Sequence, residues 1–334
     1  MSAFFGPLRT FAHQLRLDFV MPEAERFGGG TAEMILLVGA TGRLGKAVAE
    51  RLLQDTIPFR AACRKPAKAQ WLVERGVEVL PLDVESGAGI AEAVAGTSKV
   101  ISCIHGLRGR SSRSIEKIDV LGQAALINSA AEAGVERFVY ISALGASPAH
   151  PSEFWRAKAR TEEHLKGSGL EYVILRPSAF MDLYAHDLIG APVMRGKTVF
   201  ILGSGTTARN MIAVSDVADA AVEALTRHDL AGLTVEVGGW DSPTEREVAA
   251  LYAGLSGKPL KVRSVPPVAL RALAAAISPF HAGVGHLLRL PLQLAGRWDM
   301  LLDPSSPVER FGTSPVHLRD YAQGKLSERE AVAA

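Results

Sequence analysis

Short apolar runs alternate with longer segments of mixed polarity along most of the chain. The runs have the length and composition of buried strands, and the intervening segments repeat their apolar residues at helical spacing. We predict strands at 34–39, 58–63, 77–80, 99–104, 136–142, 171–176 and 233–237. We predict helices at 43–55, 66–75, 88–95, 117–133 and 152–167. This alternation predicts an α/β fold in which right-handed crossovers build a doubly wound parallel sheet of the Rossmann type.

The alternation weakens beyond residue 178, which divides the chain into a core and a smaller lobe. We expect a Rossmann core at 34–178 and a C-terminal substrate lobe at 179–326, interleaved with late core elements. The apolar stretch 265–298 has three interpretations: packing of the lobe, the lining of a lipophilic substrate pocket, or a subunit interface. The Ala-rich tail at 327–334 is predicted to be disordered.

Residues 1–33 form an N-terminal extension that the predicted fold does not require. The stretch 4–20 is weakly amphipathic, and charged residues interrupt each apolar run, which argues against a signal peptide. Either Met34 is the genuine start, or the extension is a peripheral membrane anchor or a partner helix. Because no run of about 20 uncharged apolar residues exists, we expect no transmembrane segment and at most weak peripheral membrane association.

The composition excludes some function classes. Hydrophobic residues make up 48% of the 334 positions, and the net charge of +2 gives no electrostatic case for a nucleic-acid partner. Cys63 and Cys103 end two predicted neighbouring strands and belong to no metal-ligand spacing. We therefore expect buried cysteines, no metal site and a reducing, cytoplasmic location. Monomer and homodimer both remain open.

The first strand runs directly into three glycines spaced G-x-x-G-x-x-G. In dinucleotide-binding folds the first glycine permits a tight turn, the second lets a pyrophosphate approach backbone N–H groups, and the third lets the helix pack on the sheet. Free N–H groups at the start of that helix then face the phosphates. The turn residues expected to hold the cofactor are Gly39, Thr41, Gly42, Arg43, Leu44 and Gly45.

Basic residues follow the second strand, where an NAD-selective site carries an acidic residue for the ribose 2′-hydroxyl. Arg64 can bind a 2′-phosphate with two hydrogen bonds, Lys65 can add a charge, and Arg43 would reach the same phosphate from the turn. A solvated basic loop is the alternative interpretation. The pattern favours NADP(H) over NAD(H).

Residues at the ends of later strands complete the predicted cofactor site. Asp83 follows the third strand, where its carboxylate can accept a hydrogen bond from the adenine amino group or cap a helix. Val84 adjoins it, Ile104 closes the fourth strand, and Pro177 follows the sixth, where the backbone should pass the nicotinamide. Asp216 is expected only to cap the helix that it begins.

These residues and several later motifs resemble the atypical short-chain dehydrogenase/reductase superfamily, especially its NmrA-like branch related to isoflavone reductases. The matching motifs are G-A-T-G-R-L-G at 39–45, R-K-P at 64–66, L-D-V at 82–84, A-G-V-E-R-F-V-Y-I-S at 133–142, K-A-R-T-E-E at 158–163, S-G-L-E-Y-V-I-L-R-P at 168–177 and I-A-V-S-D-V-A at 212–218. The likeness covers residues 34–255 well. It implies a nicotinamide cofactor and a small-molecule substrate, whose identity it leaves open.

The resemblance also implies hydride chemistry that uses a lysine, a tyrosine four residues before it, and a serine at the end of the fifth strand. Lys158 and Ser142 occupy two of these positions, and Phe154 stands at the third. A phenyl ring cannot donate or accept a proton, which puts the usual tyrosine-assisted carbonyl reduction in doubt.

Three outcomes are consistent with Phe154. Lys158 acts directly as ribose anchor and general acid/base, or Tyr184 supplies the missing hydroxyl, or the protein binds NADP(H) without turnover as a sensor, regulatory or assembly protein. A purely structural interpretation of Lys158 is an ion pair with Glu162, four residues on. We expect an NADPH-dependent reductase of a carbonyl, quinone or enone group in a small, mostly apolar compound.

The loop at 105–113 carries three arginines at the ligand edge of the predicted sheet. It is either a solvated mobile loop or a lid over an anionic or carbonyl-bearing substrate. His105 at its start is expected to be a rim residue rather than a catalytic one.

Overall fold

Every strand predicted from the apolar runs is present, with its ends shifted by at most a few residues. The computed structural model describes residues 33–107, 109, 111, 113–281, 284, 285, 288, 311 and 314–333. The predicted N-terminal extension, apart from Glu33, lies outside the described residues. The strands of the main sheet are β1 (Ile35–Val38), β2 (Phe59–Cys63), β3 (Val79–Pro81), β4 (Lys99–Ser102), β5 (Arg137–Ile141), β6 (Glu171–Pro177) and β10 (Leu233–Val237).

The main sheet has seven strands in the order β10-β6-β5-β4-β1-β2-β3, and each neighbouring pair is parallel. The interior strand β1 pairs through Val38 with Ala62 of β2 on one side and Ser102 of β4 on the other. All of β1 is buried, as expected for a parallel strand covered by helices on both faces. This topology confirms the predicted doubly wound Rossmann fold. The carboxyl ends of the strands meet at one edge, where such folds bind their ligands.

Helices connect and cover the strands. They are α1 (Arg43–Gln54), α2 (Gln70–Val73), α3 (Ile90–Val94), α4 (Gln123–Glu132), α5 (Glu153–Lys166), α6 (Ala191–Met194), α7 (Val214–Glu223), α8 (Glu245–Ser256), α9 (Pro267–Ile277) and α10 (Leu318–Ala333). The predicted helix at 117–133 is a π-helical segment, Glu116–Gly122, that continues into α4. A second π-helical segment, Asp182–Gly190, leads into α6.

The later part of the chain adds two small parallel pairs of strands. One joins β7 (Ala179–Phe180) to β9 (Met211–Ile212), and the other joins β8 (Val199–Leu202) to β11 (Val262–Val265). Strand β10 returns to the main sheet beside β6, so core and lobe alternate along the chain. The described residues from Met34 onward form one compact unit, and the boundary at 178/179 stays a prediction.

The predicted disorder of the C-terminal tail is wrong, because α10 continues to Ala333. Leu318, Ala322 and Leu326 are buried in the cluster that also holds Tyr252 of α8. These three residues are spaced four apart and therefore form one apolar stripe on the helix. The packing of this stripe stabilises α10, whose last residues were predicted to be disordered from their composition alone.

Two further expectations are corrected. The described part of the apolar stretch 265–298 packs on the lobe only in part: Val265 pairs with Leu202 of β8 and Ala274 is buried, whereas α9 is exposed along most of its length. The two cysteines do not end neighbouring strands, because β1 lies between β2 and β4. Cys63 is buried as expected, whereas Cys103 is partly exposed, and both are free thiols.

Candidate active site

The glycine turn between β1 and α1 leaves the start of the helix open. Gly39 has a φ of +95°, and its N–H donates to the Ala62 carbonyl oxygen at 2.9 Å. A Cβ at Gly45 would lie 2.1 Å from the Gly39 carbonyl oxygen, so only glycine fits where α1 passes the turn. Gly42 is the N-cap of this 12-residue helix, and no side chain caps it. The first N–H groups of α1 can therefore bind an anion, which fits a nicotinamide dinucleotide.

The other residues predicted to hold the cofactor lie in the turn or at the ends of later strands. Thr41 is exposed beside the glycines, and Leu44 is buried. Ile104 contacts the turn, since its Cγ2 lies 2.8 Å from where a Cβ of Gly39 would be. Pro177 is buried, and its carbonyl oxygen accepts from the Leu144 N–H at 2.9 Å. All of these residues follow or end strands at the ligand edge of the sheet.

The basic residues predicted to converge on one phosphate are separated in the structure. Arg64 and Lys65 are exposed directly after β2, which neighbours β1. Arg43 instead donates through Nη2 to Asp187 Oδ2 at 2.6 Å, on the second π-helical segment. Asp187 offers Arg43 an opposite charge in this structure, and a contact of Arg43 with the 2′-phosphate stays a prediction.

Asp83 caps its own turn rather than a helix. Its Oδ1 accepts from the Glu85 N–H at 3.1 Å, and its carbonyl oxygen accepts from the Gly87 N–H at 2.9 Å. The next helix, α3, begins after Gly89, too far along the chain for Asp83 to cap. The helix-cap interpretation is therefore wrong, and an adenine contact stays a prediction. Val84 is buried next to it.

Lys158 occupies a buried site at the carboxyl end of β5. Its Nζ donates to the Ile141 carbonyl oxygen at 3.1 Å and lies 3.3 Å from Asp119 Oδ1. The side chains of Lys158 and Asp119 are 3% and 0% exposed. The ammonium also lies 4.9 Å from the centre of the Tyr140 ring. The structural interpretation that pairs Lys158 with Glu162 is wrong, since Asp119 is the counter-charge and Glu162 pairs with Arg176.

The surroundings keep Lys158 protonated at neutral pH. Burial lowers the pKa of the ammonium, but the contacts with Tyr140 and Asp119 outweigh it and raise the pKa above 10.5. Burial likewise raises the pKa of Tyr140 to about 12, although the charge of Lys158 opposes the shift. At neutral pH Lys158 is therefore a hydrogen-bond and proton donor, not a base.

Ser142 belongs to a second buried network. Its hydroxyl donates to Glu162 Oε1, and the Glu162 carboxylate, only 1% exposed, also accepts two hydrogen bonds from Arg176. Arg176 Nε is 2.9 Å from Oε1, and Nη2 is 2.5 Å from Oε2. Because its proton is used in this network, Ser142 presents only lone pairs to a ligand.

Phe154 packs in an apolar cluster beside Lys158. The cluster contains Ile115, Phe154, Trp155 and Ala157, with Leu107, Val120, Ala143 and Tyr184 packed against it. The Lys158 ammonium lies 5.5 Å from the centre of the Phe154 ring. Tyr184, the predicted substitute hydroxyl, packs against the same cluster as Phe154, and the Arg209 guanidinium lies 5.3 Å from its ring centre. Burial raises the pKa of Tyr184, although the charge of Arg209 opposes this.

Asp119 is the site residue that sequence reasoning missed. Besides pairing with Lys158, it accepts from the Gly106 N–H through Oδ2 at 2.6 Å, which holds the start of the 105–113 loop. Ile115, Asp119 and Leu126 share one buried helical stripe, so a carboxylate within an apolar stripe was the available signal. Residues 108, 110 and 112 lie outside the described part of the loop, and the lid stays a prediction.

Asp216 does not cap α7, because the helix already begins at Val214. The Val214 N–H donates instead to Asp182 Oδ2 at 3.0 Å, and Asp216 Oδ2 accepts from the Val316 N–H at 3.0 Å.

Among the described residues no cluster of His, Cys, Asp or Glu side chains could hold a metal ion. In the same part of the chain, no helix has the length and apolarity needed to cross a bilayer.

Known proteins share this sequence pattern and this fold. Residues 39–228 match a protein family described as NAD(P)H-binding. The NAD(P)H azoreductase of Xenophilus azovorans is 30% identical over 228 residues, which cover 68% of this chain and 76% of that protein. The photosystem II assembly factor Ycf39 of Guillardia theta is 29% identical over 297 residues, which cover 86% and 93% of the two chains.

A solved structure agrees with the architecture. The NADPH-dependent quinone oxidoreductase of Escherichia coli, crystallised with NADPH, superposes with a TM-score of 0.72 at 24% identity, covering 88% of this chain and 100% of that one. This likeness shows the shared fold. The match over residues 39–228 and the 30% identity to the azoreductase show that the chain belongs to the NAD(P)H-binding family.

Proposed function

We propose that this protein is an NADPH-dependent reductase of a carbonyl, quinone or enone group in a small, mostly apolar compound. The observation that carries the proposal is the buried ammonium of Lys158, which lies beside an apolar cluster at the ligand edge of a dinucleotide-binding sheet. A positive group held there can stabilise negative charge that develops on a substrate oxygen. The substrates named for two similar proteins, an azoreductase and a quinone oxidoreductase, support a reductive reaction.

Two separate parts of the chain would bind the phosphates of the cofactor. The open start of α1 would bind the pyrophosphate, and Arg64 with Lys65 would bind the 2′-phosphate that distinguishes NADPH from NADH. Bound NADPH supplies a hydride. The preference for NADPH rests on these two cations, since Arg43 is directed to Asp187.

Lys158 would deliver the proton of the reduction. When a carbonyl carbon accepts a hydride, its oxygen becomes an alkoxide, and transfer of a proton from the Lys158 ammonium to that oxygen yields the alcohol. The neutral amine is then protonated again from water. Asp119 and the Ile141 carbonyl oxygen hold the ammonium in place, and Asp119 keeps it charged between turnovers.

The apolar cluster around Phe154 would select the substrate. Its buried members exclude water from the reacting centre, which strengthens the interaction of Lys158 with a developing charge. Leu107, Val120 and Tyr184 are partly exposed at its border and offer an apolar surface to a ligand. Tyr184 is protonated at neutral pH and is the second candidate proton donor.

A second candidate function is non-catalytic binding of NADP(H) by a sensor or assembly protein. Phe154 carries this alternative, because it replaces the usual phenol beside Lys158. The similarity to the photosystem II assembly factor Ycf39 supports it as well. In this case cofactor binding would occur without turnover.

Calorimetric titration and a turnover assay separate the two functions. We expect NADPH to bind more tightly than NADH, and NADPH to be consumed with members of a panel of quinones, azo dyes and aromatic ketones. Lys158→Met is expected to abolish turnover, whereas Lys166→Met on the same helix should leave it unchanged. Tight binding of NADPH without turnover of any panel compound would overturn the reductase and support the binding protein.

Tyr184→Phe and Phe154→Tyr test which group donates the proton. If Lys158 acts directly, Tyr184→Phe keeps most of the activity; if Tyr184 is the donor, the activity falls with that substitution. Phe154→Tyr places a hydroxyl beside the Lys158 ammonium and is expected to raise the rate of ketone reduction.

Size-exclusion chromatography would decide between monomer and homodimer, and the cytoplasmic location stays a prediction based on the free thiols.

A further inference from the structure

The helix α9 exposes an apolar surface that the cofactor site does not use. Of the residues in α9 only Ala274 is buried. Val268 is 71% exposed, and Phe280, just beyond the helix, is 91% exposed. Leu260 and Leu273 are exposed as well. We call this region, residues 258–280, the α9 surface. Several exposed large apolar side chains within one short segment are typical of an interaction site.

The charge of the α9 surface has one sign. Lys258, Lys261, Arg263 and Arg271 are all exposed. No Asp or Glu occurs between Glu247 and Asp299 in the sequence. Among the described residues, none of these four cations lies within ion-pair distance of a carboxylate; Lys261 contacts the Gly196 carbonyl oxygen, at 3.5 Å. With four cations and no carboxylate, residues 258–280 are more positive than the whole chain, whose net charge is only +2.

We propose that the α9 surface binds a bilayer surface that contains anionic lipids. Apolar side chains such as Val268 and Phe280 would enter the boundary between headgroups and acyl chains, and the surrounding cations would contact the anionic headgroups. Since α9 spans only 11 residues, it would lie in the plane of the interface rather than cross the bilayer. The reductase or binding site would thereby be held near lipophilic compounds, although membrane binding itself requires neither function.

Charge complementarity favours an anionic bilayer over a second copy of the chain as the partner of the α9 surface. In a two-fold dimer built on the α9 surface, each copy would place the same uncompensated cations opposite those of its partner. Like charges in such an interface repel, whereas an anionic bilayer neutralises them.

Sedimentation of the full chain with vesicles tests the proposal. We expect binding to vesicles of phosphatidylcholine and phosphatidylglycerol in equal parts, and little binding to vesicles of phosphatidylcholine alone. High salt should release the protein, because the electrostatic contribution is screened. Equal binding to both kinds of vesicle, or binding to neither, would overturn the proposal.

Two double variants separate the charge from the apolar contribution. Arg263→Gln with Arg271→Gln should weaken binding to the anionic vesicles about fivefold for each cation removed. The matched control is Arg75→Gln with Lys166→Gln, which removes the same charge elsewhere and should change binding little. Equal loss in both variants would show that only the net charge matters and would overturn the assigned surface.

The apolar pair Val268→Ser with Phe280→Ser should likewise abolish most of the binding. Its control, Val73→Ser with Leu121→Ser, alters side chains that are 47% and 59% exposed outside the α9 surface. Circular dichroism and NADPH titration of each variant verify that the fold is retained. Sedimentation velocity tests the alternative of a dimer. If the unsubstituted chain is a dimer that does not bind vesicles, and Phe280→Ser converts it to a monomer, the α9 surface binds a second copy of the chain and the proposal is overturned.

Discussion

Lys158 and Asp119 form a buried ion pair in which Nζ lies 3.3 Å from Oδ1. The same carboxylate accepts from the Gly106 N–H at 2.6 Å, so the pair joins α5 to the 105–113 loop. Burying two charges is favourable only when each is paired and hydrogen-bonded. Removal of either partner therefore affects both the stability of the fold and the proposed proton donor.

We expect Asp119→Asn to lower the free energy of unfolding by about 3 kcal/mol, because it leaves the Lys158 ammonium buried without its counter-charge. Chemical denaturation measures the change. Glu116→Gln is the matched control: it removes a carboxylate from the exposed pair with Arg160 and should cost less than about 1 kcal/mol. Equal effects of the two substitutions would contradict the buried pair.

The stability of the protein should fall at alkaline pH. Lys158 has its pKa raised above 10.5 in the folded state, and Tyr140 has its pKa raised to about 12. Both groups keep their protons in the folded state after the unfolded chain has lost them, so their contribution is complete at neutral pH and is lost as the pH rises through the folded pKa values. Urea unfolding between about pH 8 and pH 12 measures the slope.

The substitutions Lys158→Met and Tyr140→Phe should each make this alkaline slope shallower. Lys166→Met provides the control, since its ammonium is exposed and pairs with Glu163. A slope that is unchanged in both buried variants would show that other groups cause the alkaline loss.

Arg64→Gln should weaken NADPH binding about thirtyfold, or about 2 kcal/mol, because the charged hydrogen bonds from the guanidinium to the 2′-phosphate are lost. NADH lacks this phosphate, so its dissociation constant should stay the same. Isothermal titration of both cofactors measures the ratio, with Arg75→Gln as an exposed control. Tighter binding of NADH than NADPH by the unsubstituted protein would refute the proposed cofactor preference.

The ion pair between Arg43 and Asp187 spans the glycine turn and the second π-helical segment. If Arg43 must leave Asp187 to reach a phosphate, then Asp187→Asn should tighten NADPH binding by about threefold, since a half-exposed pair contributes less than about 1 kcal/mol. Arg43→Gln should weaken it. Weaker NADPH binding by Asp187→Asn would show instead that the pair organises the site.

Gly45→Ala should abolish cofactor binding and destabilise the fold, because the added Cβ would lie 2.1 Å from the Gly39 carbonyl oxygen. Gly254→Ala in α8 is the control. Its Cβ meets no atom within 4 Å, and the substitution should stabilise the helix by about 0.5–1 kcal/mol. Thermal unfolding and NADPH titration test both changes, and a stable Gly45→Ala protein that still binds NADPH would contradict the steric argument.

The strands of the main sheet and the glycine turn could be predicted from the sequence because they depend on local patterns. A buried parallel strand is a continuous apolar run, and the spacing of Gly39, Gly42 and Gly45 is a property of one short segment. Lys158 and Phe154 could be recognised in the same way from their positions in a motif. The fold class and the nicotinamide cofactor followed from such short-range information.

The partners of these residues were decided by the tertiary structure. Asp119 lies 39 positions before Lys158 in the chain, and Asp187 lies 144 positions after Arg43, so neither pairing has a local signal. The exposure of α9 and the order in α10 likewise depend on which distant surfaces cover each helix. An apolar pattern determines which side of an element can be buried, whereas only the packed chain determines what lies opposite it, because charge pairing and burial depend on distance in space.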